Sequence, residues 1–464
     1  MTIAPGQAES YDLSAMKAAR TITDQTICIV GLGYVGLTLA VAMADSGFRV
    51  HGIEIRQDVL TSLARGQPHF WEPRLKEKLA RVLAAGSFTF SSEPDPQFPA
   101  MVYIITVGTP IKEGEISLEA VRHSTEQVAS VLSDGSLVIL RSTVKLGTAR
   151  HVVKPILETT GCRFDLAVCP ERTLEGRALI ELHELPQIIG ADDPCVRTRC
   201  ANLFGVMTPT TITLSSLEAA EMAKLVDNTY RDVMFAFANE IASVCGSAGL
   251  SALEIIRAGR LGYPRTSVAL PGPVGGPCLE KDPHILADSA LAYGVEMGIT
   301  RAARRINEQQ PYETAKLIKE QAARMPQFPQ TPRICLAGLA FKGVPVTDDL
   351  RGTMAKPIHI ALSQVFPDAH FFAFDPVVSP EAARAHFQVE PVKSIYEAFA
   401  VANIVVIMNN HPIFQAADIV DLARDMPRPG IIYDCWNMHT DSDASMPAGV
   451  RYMALGSERF QAPL

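Results

Sequence analysis

A glycine-rich turn near the start of the chain constrains the fold more than any other feature. The apolar segment Thr26–Val30 predicts a buried strand, and Gly31–Gly36 (Gly-Leu-Gly-Tyr-Val-Gly) follows it directly. The Ala-rich stretch Leu37–Ser46 then predicts a helix, and Arg49–Ile55 predicts a second strand. A strand, a glycine turn, a helix and a second strand make a βαβ unit. We therefore expect the chain to begin with a parallel α/β sheet.

The residues of this turn also predict a dinucleotide site. Gly31 suits the tight turn, Gly33 lets a pyrophosphate approach the backbone, and Gly36 lets helix and strand pack closely. The pyrophosphate then lies at the helix N-terminus, where free N–H groups and the helix dipole favour an anion. Glu54 follows the second strand and can accept hydrogen bonds from the adenosine ribose, which favours NAD, although Arg56 leaves NADP open. The other possibilities are a purely structural turn and an FAD site.

Apolar segments further along predict two α/β domains. Before residue 205, four more strands are indicated at Met101–Thr106, Leu137–Leu140, Leu166–Val168 and Gln187–Ile189. A Pro-containing linker, Met325–Pro332, precedes the second run. Its strands are indicated at Arg333–Ala337, Phe371–Phe374, Ile404–Met408 and Ile431–Tyr433. Strands that alternate with helices are typical of open parallel sheets.

Between these two runs the strand signals vanish and a long helix is indicated. Ser216–Cys245 contains neither Pro nor Gly and predicts one helix, with Ser215 or Ser216 as its N-cap and Gly246 at its end. Its apolar residues lie on more than one face. We therefore expect the helix to be buried against both domains or against a second subunit.

Composition narrows the class of protein. The 464 residues predict two or three domains, and the formal net charge of -8 gives no electrostatic basis for binding nucleic acid or an anionic membrane. There is no run of 18 apolar residues, so no membrane span is expected. The nine cysteines show no Cys-x-x-Cys or Cys/His spacing. We therefore expect neither disulfides nor a metal site, and a cytoplasmic location is favoured.

One Gly/Pro-rich segment, Leu270–Pro283, carries a candidate nucleophile. It presents Cys278 and then, within four residues, Lys281 and Asp282. Lys281 is expected to favour the thiolate, and Gly275-Gly276 lets a ligand approach the backbone. A single Cys is more often a small buried apolar residue. The surrounding loop favours the reactive interpretation.

Two polar residues share one face of the predicted long helix. Lys224 and Asn228 are four residues apart, so their side chains point the same way. A Lys on a helix is usually a solvated surface charge. The apolar neighbours Met222, Ala223, Leu225 and Val226 indicate a more buried position.

Seven motifs in order carry a resemblance to the UDP-glucose/GDP-mannose dehydrogenase family, from about residue 25 to 440. Besides the glycine turn they are Val107–Pro110, Arg141–Val144, Cys169–Gly176, Glu221–Thr229, the Cys278 loop, and Gly338–Lys342 with Asp348–Arg351. The resemblance implies two Rossmann-like parallel-sheet domains joined by a long central helix and a helical dimerisation domain. We divide the chain into an extension at 1–22, an NAD-binding domain at 23–212, a central domain at 213–322 and a UDP-sugar-binding domain at 323–464. A homodimer or a higher homo-oligomer is implied.

The resemblance also implies a reaction. A CH2OH group at C6 of a nucleotide-linked hexose becomes a carboxylate while two NAD⁺ are reduced. Cys278 would capture the aldehyde as a thiohemiacetal, and the second oxidation would leave a thioester for water to cleave. Lys224 and Asn228 are similar to the pair that stabilises the alkoxide-like oxygen. Water and protons would be handled by Glu171, Asp282 and Thr143.

Together, the spacing and the resemblance give a candidate set for each ligand. The cofactor set is Gly31, Gly33, Tyr34, Val35, Gly36, Glu54, Arg56, Thr109, Ser142, Thr143, Glu175, Lys281 and Arg351. The substrate set is Glu171, Arg172, Leu174, Lys224, Asn228, Arg265, Gly275, Gly276, Phe341 and Lys342. Within the second set, Arg265 is similar to an Arg that often reaches the substrate from the neighbouring subunit.

The sugar is indicated by smaller differences. Arg172-Thr173 stands where members acting on UDP-glucose typically have Phe-Leu, and it is similar to members that oxidise 2-acetamido sugars. Tyr230–Glu240 is also similar to UDP-N-acetylmannosamine dehydrogenases. Pro277 and Lys281 depart from many acetamido-type members, and the segment around Trp436 lacks an expected Arg. We favour a UDP-N-acetylhexosamine, mannosamine above glucosamine, for a cell-surface polysaccharide such as capsule or lipopolysaccharide.

Three alternatives stay open at this point. The first is UDP-glucose 6-dehydrogenase, the second a two-electron dehydrogenase of a small hydroxy acid, and the third a non-catalytic nucleotide-binding protein. The hydroxy-acid reaction needs no Cys, so the Cys278 loop argues against it. With Cys278 and Lys224 available, we interpret three histidines as structural or surface residues: His183, His284 and His411.

Overall fold

The computed structural model describes residues 24–98, 100–112, 115–439 and 445–457. Two sheets, each flanked by helices, are separated by an all-helical segment. The extension at 1–22, with the short helix expected around residues 13–19, lies outside the described residues. No helix in the described part of the chain is long and apolar enough to cross a membrane.

The N-terminal sheet has eight strands in the order β10-β9-β8-β7-β4-β1-β2-β3. Its strands are β1 (Thr26–Val30), β2 (Arg49–Ile53), β3 (Phe88–Ser91), β4 (Val102–Ile105), β7 (Ser136–Leu140), β8 (Phe164–Val168), β9 (Gln187–Gly190) and β10 (Thr211–Leu214). A separate hairpin comprises β5 (Ile111–Lys112) and β6 (Glu115–Ile116). All neighbouring strands of the large sheet are parallel except β8 and β9, which are antiparallel. The sequence patterns missed the two edge strands, β3 and β10, because both are short and only half apolar.

Helices cover both faces of this sheet. They are α1 (Tyr34–Asp45), α2 (Gln57–Ala64), α3 (Leu75–Ala84), α4 (Glu119–Ala129), α5 (Lys154–Glu158), α6 (Ala178–Glu184) and α7 (Pro194–Phe204), with a π-helical turn at Ala149–Val153. The strands that lie between helices are almost continuously apolar, as parallel strands buried on both faces require.

Residues 215–332, all of them described, contain helices and no strand. These are α8 (Leu217–Ala248), α9 (Ala252–Arg260), α10 (Gly276–Leu279), α11 (Asp282–Leu291) and α12 (Gly298–Arg324). Ser216 caps α8, since its side chain accepts a hydrogen bond from the Ala219 N–H. The expected end at Gly246 was wrong. The helix continues to Ala248 and ends at Gly249, whose φ of 68° is the left-handed conformation that stops a helix.

The C-terminal sheet has six parallel strands in the order β13-β12-β11-β14-β15-β16. They are β11 (Arg333–Ala337), β12 (His370–Phe374), β13 (Glu390–Pro391), β14 (Ile404–Ile407), β15 (Gly430–Asp434) and β16 (Val450–Ala454). Its helices are α13 (Ala355–Val365), α14 (Pro380–Phe387), α15 (Ile395–Val401), α16 (Pro412–Gln415) and α17 (Ile419–Arg424). The sequence patterns missed β13, which has two residues, and the edge strand β16.

The first turn of each sheet is built the same way. Gly31 and Gly338 follow the first strand with φ of 91° and 87°, and each N–H donates to the last carbonyl of the second strand across 2.8 Å. An acid just beyond that strand accepts the next N–H of the turn: Glu54 from Leu32 and Asp375 from Leu339. In both domains, the turn after the first strand therefore lies at the carboxyl edge of the sheet, where an anionic ligand can bind.

Candidate active site

The glycine turn has the shape that a pyrophosphate needs. A Cβ on Gly33 would meet no atom within 4 Å, so the space over its backbone is open. A Cβ on Gly36 would collide with the carbonyl oxygen of Gly31, so only glycine fits where α1 packs on the strand. Gly33 caps α1 without a side chain, which leaves the first N–H groups of the helix free for an anion. These features fit a bound dinucleotide.

Glu54 is held in the position expected of a ribose acceptor. It is buried, and its two carboxylate oxygens accept hydrogen bonds from the Leu32 and Arg56 N–H groups, each at 2.9 Å. The Arg56 side chain is exposed and paired with Asp58. Its guanidinium is thus already engaged by a carboxylate, and this arrangement favours NAD over NADP.

Glu72 is a site residue that the sequence reasoning missed. Its carboxylate accepts hydrogen bonds from the Tyr34 hydroxyl and from the Gly176 N–H, the latter at 2.7 Å. Tyr34 begins α1, and Gly176 ends the motif that contains Glu175. Glu72 therefore ties the glycine turn to that motif. It belongs to no motif, and only the three-dimensional structure reveals it.

The neighbouring motif residues brace the same edge of the sheet. Thr109 is buried, and its hydroxyl donates to the Thr143 carbonyl across 2.6 Å. The Ser142 hydroxyl donates to the Val107 carbonyl across 2.7 Å. The loops after β4 and β7 are thus fastened to each other next to the glycine turn.

Cys278 lies in the short helix α10, and its side chain is exposed. Although the residue as a whole is exposed, the surrounding protein desolvates the thiol and so raises its pKa, with Asp282 acting in the same direction, while Lys224 and Lys281 oppose the shift. The expected stabilisation of the thiolate by Lys281 is therefore outweighed. Lys281 is also paired with a carboxylate, because its Nζ donates a hydrogen bond to Asp282 across 2.7 Å. Lys224 is the stronger of the two cations acting on the thiol.

Asp282 connects the nucleophile loop to the long helix. It is fully buried at the start of α11, and its second oxygen accepts a hydrogen bond from Asn228 Nδ2 across 2.6 Å. Lys224 is buried one turn earlier on α8 and makes no ion pair with any described residue. A buried cation that acts on both the Cys278 thiol and the Glu171 carboxylate is suited to stabilise negative charge on a bound ligand.

Glu171 is held by its surroundings. Its Oε2 accepts hydrogen bonds from Arg141 at 3.1 and 2.6 Å, and its Oε1 accepts from the Arg172 and Thr173 N–H groups, both at 2.7 Å. Burial acts to raise the pKa of Glu171, but Arg141, the Thr173 N–H and Lys224 together lower it below its ordinary value. The carboxylate is therefore ionised and fixed in one orientation.

All three parts of the chain meet at the nucleophile loop. Gly276 donates a backbone hydrogen bond to Gly352 across 2.7 Å, and a Cβ on Gly276 would lie 2.6 Å from the Phe341 ring. Lys342 donates to the Glu175 carbonyl across 2.7 Å, and Arg351 donates to the Glu175 carboxylate across 3.0 Å. Candidate cofactor and substrate residues of the two domains thus contact each other directly.

Glu175 has neighbours of both charges at this contact between the domains. Burial and the neighbouring carboxylate of Asp349 raise its pKa, while Arg351 and Lys342 oppose the shift. One of its carboxylate oxygens is buried and has no hydrogen-bond partner among the described residues. Asp349 is a second site residue to which the sequence motifs assigned no role.

Within the described part of the chain, no contact places Arg265, Arg172 or Leu174 of the substrate set next to Cys278. Arg265 lies in an exposed loop with its guanidinium over the Tyr263 ring. Arg172 bonds to the Pro186 carbonyl and Asp227, and the Leu174 N–H donates to Glu181. Their roles stay predictions.

The three histidines that the sequence singled out make local contacts of their own. His183 bonds to the Met207 carbonyl, His284 to Glu308, and His411 accepts from the Ile413 N–H at the start of α16. Among the described residues, no group of three or more His, Cys, Asp or Glu is arranged to hold a metal ion.

Two Rossmann-like sheets whose domains contact each other next to the Cys278 loop, with a dinucleotide turn in the first, define an NAD-dependent dehydrogenase. Three models of one family match the chain in order: the UDP-glucose/GDP-mannose dehydrogenase family NAD binding domain at residues 25–208, its central domain at 218–309 and its UDP binding domain at 335–441. The chain belongs to this family. It is an NAD-dependent UDP-sugar dehydrogenase.

Individual relatives agree with this assignment. A UDP-N-acetyl-D-mannosamine dehydrogenase of Pyrococcus horikoshii is 32% identical over 436 residues, which cover 93% of this chain and 99% of that protein. A solved structure of UDP-D-ManNAc dehydrogenase from Pyrococcus horikoshii has a TM-score of 0.84 and 30% identity, covering 94% of this chain and 100% of that one. A UDP-glucose dehydrogenase from Pyrobaculum islandicum has a TM-score of 0.83 and 25% identity, covering 95% and 99%. Fold alone therefore does not separate the two sugars.

Proposed function

We propose that the chain oxidises the C6 alcohol of a UDP-N-acetylhexosamine to the uronate in two NAD-dependent steps, with Cys278 as a covalent nucleophile. One observation carries the proposal: the buried ammonium of Lys224 acts on the thiol of the exposed Cys278, and the Asn228–Asp282 pair joins the same helix to the same loop. A two-electron alcohol dehydrogenase needs no thiol at this position.

The chemistry balances with two molecules of cofactor and one of water. NAD⁺ held at the glycine turn would supply the hydride acceptor for each of the two oxidations of C6. After the first, the Cys278 thiolate adds to the aldehyde carbon, and Lys224 with Asn228 stabilises the resulting oxyanion. After the second, the C6 carbon is a thioester. Water attacks it, the C–S bond breaks, and the carboxylate leaves while Cys278 is restored.

We propose that three residues transfer the protons of the reaction. Glu171, Asp282 and Thr143 would handle the protons of the alcohol, the thiol and the water. Glu171 is ionised, but its lowered pKa makes it a weak base, so its Arg141 contact would have to loosen for it to take a proton. Asp282 is the closer partner of the thiol loop, through Lys281 and Asn228.

We propose UDP-N-acetylmannosamine above UDP-N-acetylglucosamine as the sugar. Arg172-Thr173 and the name of the Pyrococcus horikoshii relative support an acetamido sugar. The alternative is UDP-glucose, which the Pyrobaculum islandicum neighbour supports through its near-equal structural likeness. The product would serve as a precursor of a cell-surface polysaccharide such as capsule or lipopolysaccharide.

We propose the same domain division as the sequence suggested, a homodimer and a cytoplasmic location. An exposed apolar stripe on α8 supports the dimer: Met222, Val226, Tyr230, Phe237 and Val244 lie on one face, opposite Lys224 and Asn228. The nine cysteines are all free, which supports a reducing compartment.

The test is NADH formation by purified enzyme with UDP-ManNAc, UDP-GlcNAc, UDP-GalNAc, UDP-Glc and GDP-Man. We expect two NADH per molecule of one acetamido sugar, and loss of steady turnover in Cys278→Ala. If UDP-Glc is preferred, the sugar assignment is wrong and the mechanism stands. One NADH per sugar with Cys278→Ala fully active would overturn the covalent mechanism.

A further inference from the structure

A buried polar network joins α8, α12 and the nucleophile loop behind the active site. Its members are Asp232 and Asn239 on α8 and Arg304 and Asn307 on α12, and we call them the loop clamp. Their exposed fractions are 0%, 3%, 4% and 0%, so all four side chains are buried. Burying four polar side chains is costly unless each is hydrogen-bonded.

The members of the clamp bind each other in sequence. Arg304 Nη1 donates to Asp232 Oδ1 across 2.6 Å, and Asn307 Nδ2 donates to the same oxygen across 2.9 Å. Asn239 Nδ2 donates to Asn307 Oδ1 across 3.1 Å. Pro311 follows four residues after Asn307 and has no N–H to donate to the Asn307 carbonyl, so the helix is locally less constrained there.

The clamp grips the nucleophile loop before and after Cys278. Before it, Asn239 pairs with both backbone groups of Gly272: Nδ2 donates to the carbonyl across 3.1 Å, and Oδ1 accepts from the N–H across 2.9 Å. After it, Arg304 Nη1 donates to the carbonyl of Leu279, the residue next to Cys278, across 3.0 Å. Two fixed points therefore bracket the residue that carries the thiol.

The opposite side of the loop is covered by the C-terminal domain. A Cβ on Gly272 would lie 3.3 Å from the Trp436 ring, and one on Gly275 would lie 2.9 Å from the Met354 side chain. The loop thus runs between the clamp and the nucleotide-binding domain. Neither the loop clamp nor the C-terminal domain covers the exposed part of the loop at Cys278.

We infer that the loop clamp is a positioning device that sets the place of the Cys278 thiol and couples it to the long helix carrying Lys224 and Asn228. The inference rests on the proposed function of Cys278. A displacement of about 1 Å in a reacting group can lower a rate by about 100-fold. The clamp residues should accordingly affect kcat far more than the KM for either ligand.

The experiment compares Asn239→Ala, Asn239→Asp, Arg304→Lys and Gln310→Ala with the unchanged full chain. Gln310 is the matched control: it is a buried amide on α12, its Nε2 bonds to Thr314, and it does not touch the loop. Asn239→Asp keeps the acceptor for the Gly272 N–H but replaces the donor by an oxygen, so it loses the hydrogen bonds to the Gly272 carbonyl and to Asn307 Oδ1. Each variant is measured for its thermal midpoint, its kcat and KM, and the rate of Cys278 alkylation by iodoacetamide, read on the Cys278 peptide by mass spectrometry.

We expect Asn239→Ala to lower kcat by about 100-fold and to change the Cys278 alkylation rate at least about fivefold, with KM nearly constant. Asn239→Asp and Arg304→Lys should give intermediate values of both quantities. Gln310→Ala should lower the thermal midpoint while leaving kcat and alkylation unchanged. The inference is overturned if the clamp variants, corrected for stability, match Gln310→Ala in both readouts. The alkylation rate does not depend on catalysis, so the clamp stays testable even if Cys278→Ala retains full turnover and the proposed function fails.

Discussion

Asn228 on the long helix donates a hydrogen bond to the buried carboxylate of Asp282 across 2.6 Å, four residues beyond Cys278. The contact fixes the first turn of α11 to α8 and so joins the helix that carries Lys224 to the loop that carries the thiol. Removing both side chains should lower the free energy of unfolding by less than the sum of the two single substitutions, because either single substitution leaves a buried polar group unpaired.

The stability of Asn228→Ala, Asp282→Ala and the double variant tests this contact. We expect a coupling free energy of about 2 kcal/mol, the usual range for a hydrogen bond to a charged group. Urea unfolding monitored by circular dichroism measures it. Strictly additive losses would show that the two side chains do not interact in the folded chain.

Lys224 should control both the acidity of Cys278 and the rate of oxidation. Lys224→Met removes a cation that lowers the pKa of the thiol, so the pH at which half of Cys278 is alkylated should rise. Loss of an oxyanion donor should also reduce kcat by about 100- to 1,000-fold. Lys316→Met is the control, because that side chain is exposed on α12. An unchanged alkylation profile in Lys224→Met would contradict this role.

Glu221 predicts a pH dependence of stability. Its carboxylate accepts hydrogen bonds from the Gly147 and Ala149 N–H groups, yet burial raises its pKa from 4.5 to about 7. The folded chain thus keeps a proton that the unfolded chain releases. The bound proton stabilises the folded chain fully below pH 4.5, and this stabilisation is lost as the pH rises through 7. The free energy of unfolding changes by about 3 kcal/mol over that range.

Thermal midpoints of the wild type and Glu221→Gln across pH 4.5 to 8 measure this contribution. The amide introduced by the substitution does not titrate, so the stability of the wild type relative to the variant should decrease over that interval and level off above pH 7. A constant difference would mean that Glu221 has an ordinary pKa in the folded chain.

The exposed stripe on α8 predicts the assembly state. Phe237 is half exposed and Tyr230 is 64% exposed on the face opposite Lys224. Phe237→Asp should convert a dimer to a monomer, because a charge in an apolar interface remains unpaired. Light scattering after size exclusion gives the mass, with Tyr396→Asp as a control on an exposed residue of the other domain. A wild-type monomer, or a variant that stays dimeric, would refute the interface.

Sequence patterns were sufficient for the features that repeat locally and insufficient for those that depend on distant contacts. The glycine turn, the apolar strands and the long helix follow from periodicity and turn chemistry, so they were predicted at nearly the observed bounds. The end of α8 was missed because Gly246 is tolerated inside a helix that neighbouring helices support.

Site geometry was predictable only in part. Lys224 and Asn228 lie on one buried helix face, as their spacing indicated. The partners that fix the site come from elsewhere in the chain: Glu72 with Tyr34, Arg141 with Glu171, and Lys342 with the Glu175 carbonyl. No local pattern encodes such long-range pairs, because each depends on how the sheets and the central helices pack.

The most direct test of the central claim is to look for the covalent intermediate on Cys278. Enzyme, NAD⁺ and the preferred UDP-sugar are mixed for less than one turnover, quenched in acid and digested, and the mass of the Cys278 peptide is measured by mass spectrometry. We predict a sugar-nucleotide adduct on that peptide as a thioester, released by hydroxylamine and absent from Cys278→Ser. Two NADH per sugar with no adduct on Cys278, and with Cys278→Ser as active as the wild type, would contradict it.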